Sequence, residues 1–210
     1  MGMKVPFEKP TQLTIPKPNL RIIQVEIVGN APYVQNKFAA KAALLAQQQE
    51  GSTSKNRGRK RDPKDFDRLY KAAQHIASDG WHGMPAAGYR NAMIRACSLV
   101  GYKMTEAKMS VFVIGDGFDD EGTPLVKMTG KPEMIISHVR NATGVIDLRG
   151  RPMWKKWSAT PKIQYDADQF REEDVINLLA RAGLQVGVGE GRPFSKDSCG
   201  MGWGTFEVKS

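Results

Sequence analysis

The hydrophobic positions change period along the chain, and the changes mark out its elements. Leu20 to Val28 reads LRIIQVEIV, rich in β-branched residues, and predicts a strand that Gly29-Asn30 ends. From Pro32 the spacing turns helical. Val34, Phe38, Ala42 and Leu45 share a face, and Ala39, Ala40 and Ala43 add helix propensity. Asp62-Pro63 has the form of a helix start, followed by the apolar stripe Phe66, Leu69, Tyr70, Ala73 and Ile76, which Asp79-Gly80 stops. Trp81 to Pro85 is predicted as a turn. A further helix is predicted from Pro85 to Val100, with Tyr89, Met93, Ala96 and Val100 on one face and Gly101 at its end.

The second half returns to short strands. Met109 to Ile114, Leu125 to Met128 and Met134 to Val139 are each predicted as one, with an acidic, glycine-rich loop from Asp116 to Gly122 among them. Thr143 to Leu148 and Lys156 to Tyr165 read as a strand pair joined through Arg149-Gly150-Arg151-Pro152. The second alternates, with Trp157, Ala159, Pro161 and Ile163 on one side, and Pro161 marks an edge or a bulge. Asp168 to Ala182 predicts a helix with Phe170, Val175, Leu178, Leu179 and Ala182 inward and Gly183 as its C-cap. Residues 184–189 suit a short strand, and Trp203 to Val208 the last one.

The order of large elements is strand, helical region, strands, helix, glycine-rich loop, strand. It is close to βαββαβ and predicts an α+β fold with a ferredoxin-like or RRM-like sheet, inserted helices and a C-terminal glycine-rich loop. In that topology the helices cover one sheet face and leave the other free. Residues 1–19, punctuated by Pro6, Pro10, Pro16 and Pro18, predict an extended arm. Residues 20–210 then form one α+β domain, with a flexible basic loop at 49–63 and inserted helices over 63–100.

Composition narrows the function. Hydrophobic residues make up 40% and charged residues 25%, ordinary globular values. No apolar run approaches the roughly 20 residues of a membrane span. The first twenty residues lack the apolar core of a secretory leader, which predicts a cytosolic protein. Cys97 and Cys199 form no CxxC pair, and His75, His82 and His138 are scattered, so neither a metal nor another cofactor is expected. Cys97 sits in a helical apolar pattern and reads as a buried thiol. A net charge of +9 favours a polyanionic partner, since each neutralised phosphate releases a counterion.

Three clusters carry that charge. Lys55, Arg57, Arg59, Lys60 and Arg61 lie among Gly, Ser and Asn, as a solvated loop or an arm that orders on nucleic acid. Arg149, Arg151, Lys155 and Lys156 are interleaved with Trp154 and Trp157. These tryptophans point to opposite faces if the segment is a strand, so at most one is a stacking platform. Arg192 and Lys196 flank Phe194 in the glycine-rich loop. There Gly187, Gly189, Gly191 and Gly202 allow close backbone approach, and bare N–H groups would form an anion-holding nest. The alternative is a glycine-rich connection serving turn geometry alone.

This loop, ending in the Gly-Trp-Gly-Thr-Phe-Glu-Val strand of residues 202–208, resembles the RAMP superfamily of CRISPR-associated RNA-binding proteins. The passage Gly29-Asn30-Ala31-Pro32-Tyr33-Val34 after the first strand is similar to that of its backbone subunits. The ending also resembles proteins encoded by bacteriophages and prophages, which would place the chain in a bacterial host cell. The resemblance covers roughly the first 35 and last 45 residues and implies a ferredoxin-like fold. It also implies single-stranded RNA or DNA binding through Gly187, Gly189, Gly191, Arg192 and Gly202.

The expected function is therefore non-catalytic binding of single-stranded nucleic acid, largely without sequence preference, with homo-oligomers along the strand as a further expectation. Two alternatives stay open. One is a phage inhibitor or sponge that binds a host defence protein or a small nucleotide. The other is a RAMP-like endoribonuclease, for which His82 in the Gly80-Trp81-His82-Gly83 turn is the best-placed acid or base, though no partner group stands at useful spacing. Asp116, Asp119, Asp120 and Glu121 miss the spacing of a calcium loop and read as a solvated turn. No P-loop pattern occurs.

Overall fold

The computed structural model describes residues 15–37, 65–140, 146–194 and 200–209. Two antiparallel segments, 20–29 and 158–166, run side by side at its centre. The first holds strands β1 (Leu20–Gln24) and β2 (Ile27–Gly29); the second holds β10 (Ser158–Ala159) and β11 (Lys162–Asp166). Ile23 lies opposite Ile163, and Val28 opposite Ser158. Between the two ladders the Val25 N–H donates to the Pro161 carbonyl at 3.3 Å. Strand β5 (Val111–Ile114) pairs with the far side of β11, and β12 (Phe206–Val208) with the far side of β2. The order across is β12, β1/β2, β10/β11, β5, with every pairing antiparallel.

Burial follows the strand period. Trp157, Ala159, Ile163 and Tyr165 point inward, as the alternation predicts, and Pro161, which has no N–H for a ladder, separates β10 from β11. Helices α2 (Ala86–Cys97) and α4 (Glu172–Arg181) join this core, packing on each other and on the edge strands β5 and β12 respectively. Helix α2 is alanine-rich and buried on most of its circumference. Helix α4 buries Val175, Leu178 and Leu179 at helical spacing, and its first turn carries Glu172, Glu173 and Asp174, which favour the positive end of the helix dipole. On the opposite sheet face Leu20, Ile22 and Phe112 are exposed. Cys97 is a buried thiol, and burial pushes its pKa up.

Two smaller antiparallel sheets complete the α+β architecture. Strand β7 (Pro124–Lys127) lies between β4 (Gly83–Pro85) and β6 (Gly117–Phe118). Strand β9 (Ile146–Trp154) lies between β3 (Tyr33–Val34) and β8 (Glu133–Arg140). Helices α1 (Phe66–Ala72) and α3 (Met104–Ser110) bring the α-helices among the described residues to four. None of these helices is long and apolar enough to cross a membrane.

Several expectations are corrected. Val34 is not helical. It and Tyr33 pair with Met153 and Trp154, a long-range contact that overrides local spacing. Helix α1 ends at Ala72 instead of Asp79, because the His75 N–H bonds the Gln35 side chain and Ile76 and Ala77 bridge to His82 and Asp119. Residues 81–85 contain strand β4, and residues 104–110 form α3, for which no helix was expected. Arg149-Gly150-Arg151-Pro152 is the middle of β9 and not a turn. A Cβ at Gly150 would meet the Phe66 carbonyl at 2.7 Å, so the glycine admits α1. Gly183 is not the cap of α4. The chain continues through a π turn (Ala182–Val186), and Gly187, at φ +72°, closes it by donating to the Ala182 carbonyl at 2.8 Å. That turn replaces the short strand expected at 184–189.

Candidate nucleic-acid interface

The glycine-rich segment after Val186 folds back on the domain by exchanging backbone hydrogen bonds with it. Val188 donates to Gly204, Glu190 to Val34 and Gly204 to Pro32, at 2.9, 2.9 and 2.7 Å. Phe194 donates to Val186 and Trp203 to Gly191. Such closeness excludes side chains. A Cβ at Gly189 would strike the Tyr33 ring, one at Gly191 the Trp203 ring, and one at Gly204 the Val188 carbonyl. Of the glycines expected to form an anion-holding nest, Gly187 already donates to the Ala182 carbonyl. Gly200 and Gly202 combine a positive φ (+63° and +74°) with open space around them.

What the packed turn builds is a cleft of about 440 Å³. One wall is the turn itself, from Val186 to Arg192 and Phe194. The other is the face of α2 that carries Gly88, Asn91, Ala92 and Arg95, and the floor includes Tyr33, Gln35 and His75. Two cations border it. Arg192 donates to the Gly189 carbonyl at 2.7 Å, which draws its guanidinium back over its own turn. The Arg95 guanidinium lies over the Phe194 ring, 4.1 Å from its centre. Glu190, the carboxylate in the wall, accepts from Asn36 at 3.2 Å and pairs with Arg151 at 3.3 Å.

Beneath the floor lies a buried ionic group. His75 Nδ1 is 2.9 Å from an Asp119 carboxylate oxygen, and Lys37 Nζ is 3.3 Å from the same oxygen. Lys37 also pairs with Asp120 and Glu121. The other Asp119 oxygen accepts the N–H groups of Glu121 and Thr123. Burial alone would raise the Asp119 pKa. The His75 hydrogen bond, the two amides and the Lys37 charge outweigh it and hold the carboxyl well below the usual carboxylate range. Burial likewise disfavours the Lys37 charge, and the surrounding carboxylates reverse that and raise its pKa. Asp119 is thus a buried anchor instead of part of a solvated turn, while Asp116 accepts from Lys162 and from the Lys127 N–H.

The other expected site residues lie elsewhere. Trp154 and Trp157 are both core residues, tilted against Tyr33 with ring centres 5.5 and 5.6 Å away, so neither is a stacking platform. The bend at Lys155 and Lys156 turns both indoles inward, and Trp157 Nε1 donates to the Ala31 carbonyl. Lys155 pairs with Glu133, Lys156 is exposed, and Arg149 is half-buried. Arg151 is buried beside Glu190. His82 packs edge-on against Trp154, and burial lowers its pKa. Lys196 and the run Lys55, Arg57, Arg59, Lys60, Arg61 lie outside the described residues. Asn91 and Arg95, and His75 as a neighbour of the glycine-rich turn, were not expected at this site. The one legible signal was the small and polar stripe Gly88, Asn91, Ala92, Arg95 on an otherwise apolar helix.

Comparison with protein-family models and with curated proteins gave no match.

Proposed function

We propose that this protein binds single-stranded nucleic acid, with the cleft between the glycine-rich turn and α2 as the contact site. The observation that carries the reading is the convergence of Arg95, Arg192 and Phe194 on that cleft, beside a wall carboxylate that already has its own partners. Guanidinium groups suit phosphate oxygens, and an exposed ring with a cation over it suits a base. The glycines act by building the wall. The strand order β12, β1/β2, β10/β11, β5, with a helix in each crossover, supports a ferredoxin-like reading of the fold and, through it, the likeness to the RAMP superfamily.

The test is binding of single-stranded oligonucleotides of increasing length as salt is varied. With Arg95 and Arg192 both changed to Ala, affinity falls, and the slope of log affinity against log salt flattens by about 1.4, since each phosphate contact on a single strand contributes about 0.7. An unchanged slope removes the cleft from the interface. Saturation by one mononucleotide, with no gain from length, favours the nucleotide-sponge alternative instead.

A further inference from the structure

We infer that the cleft is a site for a phosphate monoester, at a strand terminus or on a free nucleotide, with His75 as a proton-dependent donor to it. This deepens the nucleic-acid reading and rests on the cleft being an anion site.

His75 is nine-tenths buried and lines the cleft floor. Its Nδ1 is held by Asp119, a carboxylate kept ionised by its surroundings, so Nδ1 carries the proton and donates. Nε2 is then the nitrogen left for a ligand, and it has no partner among the described residues. In the neutral ring Nε2 presents a lone pair, which repels an anion. In the protonated ring it presents an N–H. The Asp119 link thus sets the tautomer.

A second feature faces the same space. Pro85, at the N-cap of the twelve-residue helix α2, and Gly88, in its first turn, line the cleft, and no side chain caps that turn. The leading amides of a helix have no intrahelical acceptor and attract anions. Gly88 keeps the turn bare, for a Cβ there would meet only the end of the Met84 side chain. Arg95 follows on the same face of α2, and Arg192 stands across from it.

The charges around His75 are accounted for on every side. Asp119 lies behind it, with Lys37, Asp120 and Glu121 closing that ionic group. Glu190 and Arg192 come from the glycine-rich turn and Arg95 from α2. Asp119, Asp120 and Glu121 pair with Lys37 and Glu190 with Arg151, while the Arg95 and Arg192 guanidiniums border the cleft itself. A phosphate monoester brings close to two negative charges and three terminal oxygens near neutral pH, where an internal diester brings one charge and two. The volume is within the range of small-ligand pockets.

The experiment compares one oligonucleotide in three forms, with a 5′-phosphate, with a 3′-phosphate and with hydroxyl ends, together with a nucleoside monophosphate, at pH 6.5 and 8.5. A terminal phosphate is expected to tighten binding about tenfold, the scale of an added charge-assisted hydrogen bond, and more at pH 6.5 than at 8.5. His75→Gln removes most of the pH dependence of that gain. Whichever end responds, or competition by the mononucleotide, identifies the source of the phosphate. Equal affinity for all three strand forms of the wild-type protein, with no binding of the mononucleotide, overturns the inference without needing any variant. Mononucleotide binding with no binding of hydroxyl-ended strands of any length retains the phosphate site and ends the strand-binding reading.

Discussion

The two loops that adjoin the cleft are held by opposite means. Residues 115–123 are fixed by one side chain: Asp119 collects two backbone amides, an imidazole and an ammonium in a dry site. Residues 187–194 and 200–204 are fixed by missing side chains, so that backbone meets backbone and ring. The first loop depends on a charge and hence on pH. The second depends chiefly on volume and handedness at its glycines.

The largest effect that separates them is expected at Gly204. An alanine there would place its Cβ against the Val188 carbonyl at a φ of +69°, which combines overpacking with backbone strain. Gly204→Ala is expected to cost about 3 kcal/mol or more in denaturant unfolding, equally at pH 4 and pH 7. Asp119→Asn comes next, at about 3 kcal/mol near neutral pH, the lower end for breaking a buried pair, because Lys37 keeps Asp120 and Glu121. Its loss has the pH dependence that Gly204→Ala lacks. The folded Asp119 carboxyl is held below its unfolded value near 4, so its contribution is full above that pH and declines as pH falls toward the folded value. The wild type and Asp119→Asn should therefore converge in stability in acid. The smallest change is Gly202→Ala, at φ +74° with open space around it, about 1 kcal/mol from conformation alone. A large, pH-independent loss at Asp119, or none at Gly204, would erase the distinction between the loops.

The sequence made the fold legible where periodicity and burial agree. Leu20–Gln24, Pro124–Lys127, Ala86–Cys97 and Glu172–Arg181 stand close to where their patterns predict them. It misled where local chemistry imitates another element. Arg149-Gly150-Arg151-Pro152 has turn composition, yet Gly150 serves a crossing helix that only the tertiary structure supplies. Trp154 and Trp157 have the spacing of opposite strand faces, but the bend between them brings both inside. The glycine-rich turn and Arg192 were legible as a region, while the way the turn acts was not. Gly189 and Gly191 look the same in sequence whether they meet an anion or an aromatic ring. His75 had no legible role because its partner, Asp119, lies far along the chain and in a different loop.

The central segment 20–29 also bears on how the chain reaches this structure. It emerges in synthesis well before its sheet partners: Ile23 waits for Ile163, and Ile27 for Val208. Pairings so remote in sequence make folding slow, because loop closure precedes any return in contacts. Until those partner segments arrive, an apolar strand with both edges open remains available to other chains, so truncation near residue 200 should yield aggregates in place of a shorter native domain.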